Sequence, residues 1–234
     1  SSVLSGNIPV MTTVGNHETY GAIGLPLYYA HFFYDDLVYK GIESPGGENY
    51  YACQQKNILF IHLSSEHPGT EQTNWVQQLI DAARTDGTVD WIIAVAHRPI
   101  QAEQFVGDIS VYIRDQVIPV LVQTAKSVLL ITGHHHLYAR GQVRDHPLYH
   151  IISGGGSWDQ YWGQSTEQDF DDVQKTIDYW TYQIVTLDAV KDVMTVESYA
   201  IGSPKLGMTL NNIAIDTFYR KQSLVSPSKP SILT

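Results

Sequence analysis

Three short apolar runs, each ending in side chains that can bind a cation, constrain this chain more than any other feature. Ile8–Val14 runs into Gly15-Asn16-His17, Trp91–Ala96 into His97, and Val128–Thr132 into Gly133-His134. Runs of this length, rich in β-branched residues and bounded by turn residues, read as buried strands. Amphipathic helical patterns separate them. Thr70 can cap a helix running to about Arg84, with Trp75, Val76, Leu79, Ile80 and Ala83 on one face. A second pattern covers Asp108 to Gln123, with Ile109, Tyr112, Ile113, Val117, Val120 and Leu121 together and Pro119 as a kink or restart. Buried strands alternating with helices predict an α/β fold, and such folds place their sites in loops at the carboxyl ends of strands.

The rest of the chain reads more as hairpins. Tyr50–Cys53 and Ile58–Leu63 form a predicted hairpin turning at Gln54–Asn57. Later strands are predicted around Leu148–Ser153, Thr181–Leu187 and Val193–Tyr199. Ser157–Asp178 reads as an elaborated loop with room for a short helix, and the Pro/Ser-rich residues 223–234 read as a linker-like tail.

Charge narrows the partners. A formal net charge of −10 argues against nucleic acid, whose phosphates recruit Lys/Arg surfaces. No apolar run is long enough to span a membrane. Cys53 is the sole cysteine, so an internal disulfide is excluded and the thiol reads as a small buried apolar group. No signal peptide is visible at Ser1.

The histidines carry the chemistry. Side chains two apart in an extended or tightly turned segment point the same way, so His134 and His136 can converge while His135 points elsewhere. Imidazole suits zinc, iron, nickel and manganese. A lone His-x-His is more often a surface feature, and a lone strand-end histidine such as His97 is more often structural. Gly-Asn-His after a strand is equally a plain turn. The aromatic residues Trp158, Tyr161, Trp162, Tyr179 and Trp180 could line a sugar surface, although packing over a sheet is the commoner use of such rings.

Taken in order, Gly15-Asn16-His17-Glu18, the strand-terminal His97 and Gly133-His134-His135-His136 resemble the calcineurin-like metallophosphoesterase superfamily. Gly133–Arg140, Ser64-Ser65-Glu66 with Gln72 and Trp75, Ala96-His97-Arg98-Pro99 and Ile151–Gly156 resemble its purple acid phosphatase branch. The resemblance implies part of a four-layer α/β/β/α sandwich, lacking the N-terminal strands and helices, with residues 1–222 as the C-terminal portion of a catalytic domain. It implies a phosphomonoesterase or phosphodiesterase acting by attack of a metal-bound hydroxide on a phosphate ester. Asn16, His97 and His134 would bind one metal and His136 a second. His17 would stand beside the scissile phosphate, with Glu18 orienting it or its loop. Arg98 and Gly155 would contact substrate. Two divalent or mixed-valence ions (Fe, Zn or Mn) are expected in the intact domain, and one or none in this chain alone. Export to a secreted or periplasmic location is the corresponding expectation.

The family's Asp-x-His and Gly-Asp motifs, which lie upstream of Gly-Asn-His, do not occur ahead of Gly15 in this sequence, and Asp169-Phe170-Asp171-Asp172 and Asp145-His146 do not replace them. The chain alone is therefore expected to be inactive. It is also expected to need the N-terminal half, or another copy of itself, to cover exposed sheet edges and apolar faces. The competing expectation is a non-catalytic module of the same fold that holds at most one metal.

Overall fold

The computed structural model describes residues 9–34, 36–102, 108–143, 146–156, 173–203 and 207–222. Its helices are α1 (Gly24–His31), α2 (Thr70–Thr85) and α3 (Ile118–Leu121). Its strands are β1 (Tyr51–Gln55), β2 (Ile58–His62), β3 (Trp91–Val95), β4 (Ser127–Thr132), β5 (Tyr138–Gln142), β6 (Tyr149–Ser153), β7 (Val173–Ile177), β8 (Trp180–Asp188), β9 (Val193–Ser203) and β10 (Met208–Lys221). They form a seven-stranded sheet ordered β1-β2-β3-β4-β6-β5-β7 and a three-stranded sheet ordered β10-β9-β8.

Period-two alternation decides how the layers meet. From β2, Leu59 and Ile61 face the helices; from β3, Ile92 and Ala94 do the same. Trp91 and Ile93 face the opposite way and meet Met194, Val196 and Phe218 of the second sheet. With both faces covered, the parallel strands β2, β3, β4 and β6 read as continuous apolar runs. The helix face predicted for α2 is the buried one, Trp75, Val76, Leu79, Ile80 and Ala83. Val76, Leu79 and Ile80 each contribute about 1.5–3 kcal/mol by leaving water. The described layers are thus helix, sheet and sheet, in keeping with the expected α/β/β/α sandwich. The outer face of the three-stranded sheet carries exposed Tyr182, Ile184, Ile201 and Tyr219.

Polar groups pin the two sheets together. Arg140 of β5 donates through Nε to Asp216 of β10 at 2.7 Å, and the Tyr138 hydroxyl donates to the same carboxylate at 2.8 Å. Arg220 of β10 donates to the carbonyls of Ser127 and Ala125, both at 2.7 Å. These charge-assisted bonds satisfy groups that burial would otherwise leave costly.

Several sequence expectations are corrected. Residues 9–14 form no strand; Ile8 lies outside the described residues. Tyrosine hydroxyls replace a neighbouring strand's ladder there: Tyr34 accepts from the Thr12 N–H at 3.0 Å and Tyr51 donates to the Thr12 carbonyl at 2.5 Å. Gly69, not Thr70, precedes the first turn of α2, with no side-chain cap. The helix expected from Asp108 starts at 111, is π-helical over Ile113–Val117 and returns to α3 around Pro119. Pro119 lacks the N–H of a regular ladder, and a widened turn just ahead accommodates that loss. Part of the expected 157–178 loop is the strand β7, and the rest lies outside the described residues, with Trp158, Tyr161 and Trp162. The tail at 223–234 lies outside them too. Among the described residues no helix is long and apolar enough to cross a membrane.

Candidate metal centre

Three loops, two of them at the carboxyl ends of β3 and β4, meet in one cavity of about 650 Å³. The first follows residues 9–14. There Glu18 accepts the Gly15 N–H at 2.9 Å, and the Asn16 carbonyl accepts from the Thr19 hydroxyl at 2.7 Å. These bonds fix a turn that buries Asn16 and leaves His17 exposed at the rim, edge-on to Tyr20. Glu18 therefore holds the loop through the Gly15 amide. Gly15 is required by proximity, because a Cβ there would lie 2.9 Å from His97 Nδ1.

The second loop follows β3. His97 Nε2 lies 2.7 Å from Asn16 Oδ1 and 3.0 Å from His134 Nδ1. Burial, with the neighbouring His134 next in weight, pushes the His97 pKa down to about 4. The ring is neutral near pH 7, which is the form that ligates metals. Arg98 extends the loop: its Nε pairs with Glu66 Oε1 at 2.8 Å, and its backbone N–H donates to the Ser65 hydroxyl at 3.1 Å. Gln72 on α2 anchors that support by accepting the Ser64 N–H at 2.8 Å and donating to the Ser64 carbonyl at 3.0 Å.

The third loop follows β4. His134 has a φ of 65°, and short backbone bonds run from His135 to Gly133 and from Leu137 to His135, both at 2.7 Å. This left-handed turn breaks the alternation of an extended segment. His135 therefore does not point elsewhere as expected; it is buried and lines the cavity with His134 and His136. Burial also pushes the His135 pKa down to about 4. Gly154 closes against this loop so tightly that a Cβ would fall 1.8 Å from the His135 carbonyl oxygen.

Asn16, His17, His97, Arg98, His134 and His136 thus all line the cavity, as do Ser153, Gly154 and Gly156. Gly155 does not: it is buried against β8, and its carbonyl accepts the Thr181 N–H at 3.1 Å. Its absent side chain makes room for Thr181 and the Tyr179 carbonyl. Asp108 escaped the sequence reading. It is the one acid among the described residues lining the cavity, with Oδ2 2.6 Å from His134 Nε2 and Oδ1 paired with Arg98. Partial burial works to raise its pKa, but the His134 bond and the nearby positive charges hold its carboxyl below the usual carboxylate range. Asp108, His134 and His135 also offer ligand atoms within 4.8 Å of one another. In the sequence Asp108 is marked by its place beside a helix start and by the preceding Gly107; its contact with His134 spans 26 positions, beyond any local pattern.

The donor set fits a divalent cation. Bonds of about 2.1 Å at 90–109° separate ligand atoms by about 3.0–3.4 Å. His97 Nε2 lies 3.0 Å from His134 Nδ1, within that range, and 2.7 Å from Asn16 Oδ1, just short of it. Two imidazoles and an amide oxygen suit zinc, iron or manganese.

Comparison with known proteins points the same way. Residues 2–138 match the calcineurin-like phosphoesterase family. An uncharacterized protein of Mycobacterium tuberculosis, present in strains CDC 1551 and H37Rv, is 26% identical over 158 residues, covering 60% of this chain. The chain spans only 28% of that relative's length. The fold is shared with a purple acid phosphatase from yellow lupin (Lupinus luteus) seeds: TM-score 0.62, 15% identity, 88% of this chain and 38% of that one. It is also shared with a Plasmodium protein described as the anchor in the inner membrane complex: TM-score 0.54, 17% identity, 74% of this chain and 56% of that one.

Proposed function

The chain belongs to the calcineurin-like phosphoesterase family, and from that premise we propose that it carries the histidine-rich half of a metal-dependent phosphoric ester hydrolase. The observation that carries this reading is the convergence of Asn16, His97 and His134, 81 and 37 positions apart, on one wall of an open cavity. A cation held there would supply Lewis-acid stabilisation of negative charge on the phosphoryl oxygens. The chain's own groups do the rest. Arg98 presents a guanidinium to an anionic substrate. His17, exposed at the rim, is placed to donate a proton to a departing alkoxide. His136 lines the same cavity and is assigned to a second cation, whose remaining ligands come from outside this chain. Neutral donors leave the site cationic, so the protein's overall acidity does not repel phosphate esters.

The test supplies this chain with the N-terminal half that the proposal requires, and uses an aryl phosphate with Mn²⁺ or Zn²⁺. His17→Ala should depress turnover while leaving metal content near that of the unmodified protein. Equal turnover in the variant would remove His17 from the mechanism.

A second reading, a non-catalytic module holding at most one cation, has one supporting observation: one fold relative is described as an anchor in a membrane complex. Metal analysis of the chain supplied with that N-terminal half separates the readings, since two ions per chain belong to the hydrolase alone.

A further inference from the structure

His134 makes a close contact through each ring nitrogen. Nδ1 lies 3.0 Å from His97 Nε2, facing the Asn16 side of the cavity. Nε2 lies 2.6 Å from Asp108 Oδ2. We infer that Asp108 is a positioning residue, whose carboxylate takes the proton-bearing Nε2 of His134 and so turns the Nδ1 lone pair toward Asn16 and His97. The inference rests on reading those three residues as a cation site.

Hydrogen-bond inventory decides the tautomer. An ionised carboxylate only accepts, so its partner at 2.6 Å must be an N–H. A neutral imidazole carries one proton, and placing it on Nε2 leaves Nδ1 as the lone-pair atom. The other candidate partner of Nε2 is Arg98, whose NH1 lies 3.2 Å away. A guanidinium only donates, so that bond would require a bare Nε2, with its lone pair facing Asp108 Oδ2. Repulsion between the two lone pairs disfavours that state. The consistent arrangement has Asp108 accepting from both neighbours, with Oδ1 taking Arg98 and Oδ2 taking His134. Glu66 holds Arg98 from the other side at 2.8 Å, so Asp108 is itself kept in place.

Asp108 is not read as a direct ligand of the same ion. It reaches His134 through Nε2, and the two ring nitrogens point apart, so an ion on Nδ1 is out of line with this carboxylate. Carboxylates in this outer role fix ring orientation and raise ligand basicity, and losing one typically costs 10–100-fold in metal affinity.

The experiment uses the whole chain, with Co²⁺ as the probe and ring ¹⁵N NMR of His134 at about pH 8, above the ordinary imidazole pKa. The Nε2–H tautomer should dominate before any metal is added. Asp108→Asn should weaken Co²⁺ binding about 10–100-fold and populate the Nδ1–H form. Asp108→Glu should recover part of both. A dominant Nδ1–H tautomer in the unmodified chain overturns the inference. So does Asp108→Asn with unchanged affinity and tautomer, when His134→Ala abolishes binding; the cation site then survives without this role. Unchanged Co²⁺ binding in His134→Ala removes the site itself, and the role of Asp108 with it.

Discussion

Asn16 Oδ1 lies 2.7 Å from His97 Nε2 across 81 positions of sequence, and Gly15 is what lets the two loops approach. This contact and the 3.0 Å spacing from His97 to His134 define a prebuilt three-donor wall. Alanine at Asn16, His97 or His134 should therefore weaken Zn²⁺ or Co²⁺ binding. Each should cost at least the roughly 100-fold that loss of an outer partner can reach. Calorimetric titration of the three variants checks this, and full retention of affinity in any one takes that residue out of the donor set.

Gly154 offers a test of how firmly the site's floor is built. A Cβ at this position would lie 1.8 Å from the His135 carbonyl oxygen, a backbone atom that cannot swing aside. Gly154→Ala should destabilise the chain by about 1–3 kcal/mol or more through overpacking. Gly87 has nothing within 4 Å of its notional Cβ, so Gly87→Ala should stay within about 0.5 kcal/mol. Urea unfolding of the two variants provides the comparison, and equal midpoints would contradict it.

Gln72 links a helix to the loop that braces Arg98. It is 1% exposed and bonds both the N–H and the carbonyl of Ser64, as well as the His67 carbonyl. Gln72→Ala leaves the buried N–H and carbonyl of Ser64 without this partner, each at about 1–3 kcal/mol. Unfolding experiments should record a loss in that range or above. A change under about 0.5 kcal/mol would mean that water replaces the amide without penalty.

Much of this fold was legible because its central strands are apolar on both faces and its main helix on one. The α2 face and the strands β2, β3, β4 and β6 follow directly from those periods. The strand β10 did not, since register shifts between Thr209 and Ile213 and between Ala214 and Asp216 scramble its alternation. The helix α1, Gly24–His31, holds a glycine and a proline and shows no polar stripe. At the site, Asn16, His97 and His134 were visible because each follows an apolar run. Asp108 was not, because its meaning depends on a fold that brings it to His134. His135 was misjudged because one left-handed residue, His134, reverses the period-two argument.

Acid should destabilise the chain through His62. This ring is 4% exposed, stacks on Tyr51 at 4.4 Å between centroids and shares a 2.8 Å hydrogen bond with the Thr13 hydroxyl. Burial pushes its pKa down to about 4, while in the unfolded chain it sits near the ordinary value of about 6.5. Between those values the unfolded state binds the extra proton, so stability rises with pH. The contribution is fully present above about pH 6.5 and lost as pH falls toward 4, a difference on the order of 3 kcal/mol. Buried His97, His135 and His150, depressed to about 4, 4 and 3, slope the same way, so the unmodified chain should lose stability steeply across this window. His62→Gln should flatten the dependence by up to about 1.4 kcal/mol per pH unit. Urea titrations at several values between pH 4.5 and 7 measure that slope, and identical slopes for variant and parent would show that His62 does not remain neutral in the folded state.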